Sequence, residues 1–251
     1  MSASTATALQ AARATAGRLP LAGRSSVVEL QAPKGDPFDL SLSVDGVWNL
    51  RRGLIGSYLI ERGGVAQHTD PAELEEIDVA TFAYAAVLLE EQTEQDEPLT
   101  LHLPVSFLSL ATQRSRVRLM SLTHSVRDAM RTSVLLEICG LDGGVPPSRL
   151  TEIVALFRSM CIGVIGRVEP TKAALNSVQG CGLRGLVVEA ERLSPHRPDF
   201  EARLAAFVAM ARPVSPNLLI HGLPDLKQID LAAEAGFSLA SAVARLDYLT
   251  V

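Results

Sequence analysis

The sequence predicts an α/β fold, closed as a TIM-like (β/α)8 barrel and begun by an opening β-hairpin. Short, largely apolar strands alternate with helix-length segments along the chain. Strands apolar at every position, rather than at every second one, are the mark of parallel strands buried on both faces. A count of eight strands, most of them of this kind, favours closure into a barrel over an open doubly wound sheet.

The elements follow in order. Residues 1–24 are Ala, Ser, Thr and Arg-rich, without an acid or an aromatic, and predict a disordered tail or linker. The barrel domain is then placed at residues 25–251. Phe38 to Val44 alternates apolar and polar, and Leu54 to Ile60 follows the turn-like Arg51-Arg52-Gly53, which together make the hairpin. Asp70 is a predicted N-cap, with Pro71 at the first helical position and Glu73, Glu75 and Glu76 near the positive end of a helix reaching Glu91. Strands are then predicted at Leu99 to Val105, Val134 to Ile138, Ile162 to Ile165, Gly185 to Val188, Asn217 to Ile220 and Phe237 to Ala240. Between them fall a helix ending at Arg131 and others starting near Ser148, Thr171, Pro198 and Pro224, the last closed by Gly236 in the C′ position.

Composition narrows the function. Of 251 residues, 47% are hydrophobic, enough for a substantial core. Charges or prolines interrupt every apolar stretch before the roughly 18 residues a membrane span needs. The 23 basic and 28 acidic residues give a net charge of −5, the wrong sign for general nucleic-acid binding. Cys139, Cys161 and Cys181 lack C-x-x-C spacing, so neither a zinc knuckle nor a disulfide framework is expected, and a reducing cytoplasm fits best. No phosphate-cradling glycine loop, nucleophile elbow or H-E-x-x-H motif is present.

Barrel sites gather at the carboxyl ends of strands. Glu137, Arg167, Glu189 and His221 stand at such ends and are expected to meet at one mouth. An internal network of arginine and carboxylates is their expected use, ahead of an acid/base or metal site. His102, inside an apolar strand, and His124, inside a helix, read as satisfied or surface imidazoles, and Gly180-Cys181-Gly182 as a tight turn.

In the order and spacing of its segments from Phe38 onward, the chain resembles the EAL-domain barrels, phosphodiesterases that cleave cyclic di-GMP with two metal ions. Val44-Asp45-Gly46-Val47-Trp48-Asn49-Leu50 stands where that family has Y-Q-P-[IV]-[VF]-[DN]-L. Tyr58-Leu59-Ile60-Glu61-Arg62 stands at E-A-L-L-R, which puts Tyr58 at the metal-binding Glu. Leu103-Pro104-Val105-Ser106 stands at V-N-[LIV]-S, with Pro104 at another ligand, and Leu136-Glu137-Ile138-Cys139-Gly140 at L-E-[IL]-T-E, with the first Glu kept. Gly166 and Arg167 occupy the two acids of D-D-F-G. Val187 falls at the catalytic Lys of L-K-[IL]-D, with Glu189 at its Asp, and His221 at a functional Glu of A-E-G-V-E. Gln228, Ala235-Gly236 and Ser241-Ala242 keep the spacing of the closing segments.

The resemblance implies a TIM-like barrel of the EAL type whose ligand cage has been lost. The implied function is a catalytically inactive domain serving as a protein-interaction or signalling scaffold in the bacterial cytoplasm, with no metal, no cofactor and no membrane span. Arg167 is expected to replace a metal charge and to satisfy Glu137 or Glu189. Arg62, Glu137, Arg167, Glu189 and His221 are the candidate ligand-binding residues of the vestigial mouth. The expected partner is another protein, and a homodimer is compatible with that role. The alternatives are a receptor that binds cyclic di-GMP without cleaving it, an enzyme using His221 as general base oriented by Glu137 or Glu189, and an assembly support using Ala-rich helices such as residues 80–89.

Overall fold

The computed structural model describes residues 21–30, 37–65, 70–95 and 100–243. Among these residues nine strands form one sheet in chain order: β1 (Ser25–Leu30), β2 (Phe38–Asn49), β3 (Leu54–Gly63), β4 (Leu101–Ser106), β5 (Val134–Leu141), β6 (Gly163–Val168), β7 (Gly185–Glu189), β8 (Leu218–Leu223) and β9 (Leu239–Ala242). From β3 to β9 all neighbours are parallel, while β2 is antiparallel to both β3 and β9 and so closes an eight-stranded ring. The opening hairpin is therefore part of the barrel wall. Sequence reading missed β1, which pairs antiparallel with β2 outside the ring and alternates exposed with half-buried residues.

The boundary drawn at residue 24 falls within packed chain. Leu21 is 1% exposed, Arg24 is ion-paired with Glu91, and the Gly23 amide donates to the Val44 carbonyl at 3.0 Å. Residues 1–20 lie outside the described residues.

Among the described residues eight helices cover the ring: α1 (Pro71–Gln95), α2 (Phe107–Leu110), α3 (Gln113–Leu122), α4 (Arg127–Ser133), α5 (Pro147–Phe157), α6 (Lys172–Val178), α7 (Phe200–Ala211) and α8 (Leu226–Ala235), with a 3-10 turn at Ala190–Leu193. Their starts obey the capping chemistry in the sequence. Asp70 accepts from the Ala72 amide, Thr171 from Ala174 and Asp225 from Gln228. The single helix expected before Arg131 is three short ones, because Thr112 caps a new start and the chain turns again before Arg127. His124 lies in that second turn, exposed, rather than in a helix. Gly236 has φ 103°, the left-handed C′ conformation its position predicts.

The core has two compartments. The larger lies between the ring and the helices, where Ala85, Ala86, Leu88 and Leu89 of α1 are buried, so that much of the alanine-rich segment faces the barrel. The smaller is the floor of the lumen, where Ile165, Val187 and Leu219 pack with Leu239. Strand alternation sorts residues between the two. Gly166, one residue from inward-facing Arg167, turns to the helix side. A Cβ there would lie 2.7 Å from Leu141 Cδ1 and 2.8 Å from Leu183 Cδ1. Gly166→Ala is therefore expected to overpack this layer and cost about 1–3 kcal/mol in urea denaturation. An unchanged midpoint would contradict this packing.

Candidate functional site

Above the apolar floor, the next inward-facing positions of the ring are polar. Arg167 on β6 is the centre. Its Nε donates to Glu137 Oε1 at 2.5 Å and its Nη1 to Glu189 Oε1 at 2.5 Å, so one guanidinium ties β5 to β7. Arginine suits this role because its rigid fork serves two carboxylates at once and stays charged. Glu137 is wholly buried, Arg167 is 17% exposed at its side chain and Glu189 37%, so the network opens outward from β5.

The other Glu137 oxygen faces His221, whose Nε2 lies 3.2 Å from Oε2. Burial alone would raise the Glu137 carboxyl, but the Arg167 guanidinium and the His221 ring outweigh it and hold the group well below the usual carboxylate range. Glu137 is thus an acceptor on both oxygens, and His221 donates from Nε2. At the far side of the ring, Ser241 Oγ lies 3.3 Å from His221 Nδ1 and receives the Gly222 amide at 3.2 Å. The chain of donors runs from the Gly222 amide through Ser241 and His221 to Glu137.

Sequence reading passed over His102 as a satisfied or surface imidazole. It is wholly buried in the lumen, its ring centroid 5.7 Å from that of His221 in an edge-on arrangement. Its Nε2 lies 3.0 Å from Ser57 Oγ, but its Nδ1 is buried with no hydrogen-bond partner. Such an orphan costs about 1–3 kcal/mol. Burial and the neighbouring His221 push the His102 imidazole down to about 3, so it is neutral at physiological pH. Donor atoms of His102, Glu137 and His221 all lie within 4.8 Å of one another. The inward parity that β4 shares with Glu137 and His221 was the signal that could have found His102.

Parity also corrects two assignments on β3. Ser57 faces the lumen, so Tyr58 does not: it joins the outer core, on the opposite face from any ligand cage. The E-A-L-L-R register is therefore slipped by one, and a one-residue slip in a strand exchanges the two faces. Ser57, Leu59 and Glu61 are the inward residues. Arg62 is on the rim of the mouth but committed elsewhere, donating to Asp78 Oδ1 of α1 at 2.7 Å while the Ser106 amide donates to Oδ2 at 2.9 Å. Four of the five predicted site residues, Glu137, Arg167, Glu189 and His221, converge; Arg62 does not join their network.

The mouth opens into a cavity of about 1090 Å³. Its charged lining is acidic on balance, with Glu61, Asp142, Glu169, Glu189 and Glu191 against Arg62, Arg167 and Arg192. Each of those arginines faces a carboxylate, Arg192 lying 3.3 Å from Glu169 and 3.9 Å from Glu189. Two imidazoles and one carboxylate, with a guanidinium beside them, do not match a pair of hard ions that seek oxygen ligands.

No family model matches the sequence, and no curated protein matches it. Solved structures do match by shape. The EAL enzyme Bd1971 in its cAMP-bound form superposes with a TM-score of 0.61 at 10% identity, covering 84% of this chain and 61% of that one. The BlrP1 manganese/cyclic di-GMP complex from Klebsiella pneumoniae gives 0.61 at 14% identity, covering 88% and 58%. The PaMucR phosphodiesterase in complex with cyclic di-GMP gives 0.61 at 13%, covering 82% of this chain and 95% of that one. The chain therefore has the EAL-domain fold, and it spans about three fifths of the length of the first two proteins. Among the described residues no helix is long and apolar enough to cross a membrane.

Proposed function

We propose that this barrel is a non-hydrolysing EAL-fold module that works by binding another protein. The observation that carries the reading is Arg167, whose guanidinium bridges Glu137 and Glu189 at the strand ends. Two-metal phosphodiester hydrolysis needs several anionic or carbonyl ligands around two divalent ions. Here the strongest carboxylate is already neutralised by a fixed cation, and Pro104 and Val187 bring no ligand atom to their strands.

The charge of the mouth favours a protein over the dinucleotide. A ligand with two phosphates gains from surplus cations, and every arginine lining this cavity already faces an acid. A role for His221 as general base draws less support, because Glu137 and Ser241 already engage its two nitrogens. The second reading, a receptor for cyclic di-GMP, draws on neighbouring structures whose names record that ligand, two of them named above.

Incubation of the full chain with cyclic di-GMP and magnesium or manganese is expected to yield no linear dinucleotide, and accumulation of that product would overturn the proposal. Calorimetry with the same ligand separates the two readings. No heat of binding is expected of a protein scaffold, whereas saturable binding without turnover establishes the receptor.

A further inference from the structure

We propose that the lumen holds one borderline-soft divalent transition metal, of the zinc class, on His102, Glu137 and His221. This goes beyond the binding role above and does not rest on it. Three donors of the His-His-Glu type suit zinc, and imidazole nitrogens suit it better than they suit magnesium or manganese.

One of the three donor pairs already has the spacing such an ion needs. Tetrahedral bonds of about 2.0–2.1 Å place neighbouring donor atoms about 3.3 Å apart. His221 Nε2 and Glu137 Oε2 are already 3.2 Å apart, and one donor atom of His102 lies within 4.8 Å of each. The second observation is the bare Nδ1 of His102, buried beyond reach of water and given no partner by the fold.

The surroundings have the outer support that metal-bound residues require. Ser57 Oγ lies beside the other nitrogen of His102, and Ser241 Oγ beside Nδ1 of His221. On binding, the His221 proton shifts from Nε2 to Nδ1, and Ser241 turns from donor to acceptor. Arg167 stays on Oε1 of Glu137 and leaves Oε2 for the ion.

The test uses the untagged full chain, stripped with chelator and titrated with zinc against a chromophoric competitor, with cobalt(II) absorption as a second readout. One zinc per chain is expected, with cobalt bands of a four- or five-coordinate nitrogen-ligated ion, and no competition from millimolar magnesium. His102→Ala and His221→Ala should each weaken binding by at least about a hundredfold. Glu191→Gln, at the rim, should leave it unchanged. Where a histidine variant fails to fold, the wild-type cobalt spectrum decides: bands of an octahedral, all-oxygen ion overturn the proposal. Less than a tenth of an equivalent of zinc, or zinc binding that survives both histidine substitutions, overturns it as well.

Discussion

Replacing Arg167 by methionine is expected to destabilise the barrel by about 3–5 kcal/mol, read as a lowered urea midpoint at neutral pH in the presence of chelator. The size of the effect comes from what is left behind. Glu137 is wholly buried, and its ionised state depends first on this guanidinium. Methionine fills similar space but supplies no charge, so the carboxylate must either stay charged in an apolar lumen or take up a proton against its surroundings. The Glu137→Gln/Arg167→Met double variant removes that burden and should recover most of the loss. If the single variant were as stable as wild type, the ion pair would not hold the upper lumen together.

The second large effect is a loss of stability in mild acid. His102 titrates in the unfolded chain near its ordinary value of 6.5, but in the folded barrel burial and His221 push it down to about 3. Between those values the unfolded state binds more protons, so stability must fall as pH falls. The contribution is complete above pH 6.5 and amounts to about 4–5 kcal/mol once the folded imidazole begins to titrate. Glu137 adds a loss of the same sign below its ordinary value of 4.5, because its folded carboxyl is also held low. Denaturation midpoints of the chelated protein should therefore begin to drop near pH 6.5, and His102→Leu should move that onset to about pH 4.5. A wild-type curve flat from pH 6.5 to 4.5 would show that the imidazole is not sealed in the lumen.

Much of the fold was legible because the signals were local. The caps at Asp70 and Thr171, the glycine at 236 and the all-apolar strands each speak for their own few residues. The ring was legible from strand count, and the convergence of Glu137, Arg167, Glu189 and His221 from the rule that barrel sites lie at strand ends. What escaped was parity and partnership. Tyr58 was one residue out of register because spacing to a motif fixes position along a strand but not which face a side chain takes. His102 was discounted because one imidazole in an apolar strand looks the same whether or not its second nitrogen finds a partner. Arg62 seemed a free cation because Asp78, its partner, sits on the following helix with nothing in the spacing to announce the pair. β1 was lost because Ser25–Leu30 is half exposed and adjoins a stretch of tail-like composition.

The closing seam of the ring has a kinetic consequence. Among the described residues Val47, Trp48 and Asn49 of β2 pair with Leu239, Ala240 and Ser241 of β9, segments far apart in sequence. Such long-range pairing is slow to form, since the entropy of bringing distant segments together must be met before its contacts repay it. Ser241, which steadies His221, belongs to that seam. The parallel wall without that seam is an open gutter, and the polar chamber is closed only where β2 and β9 meet.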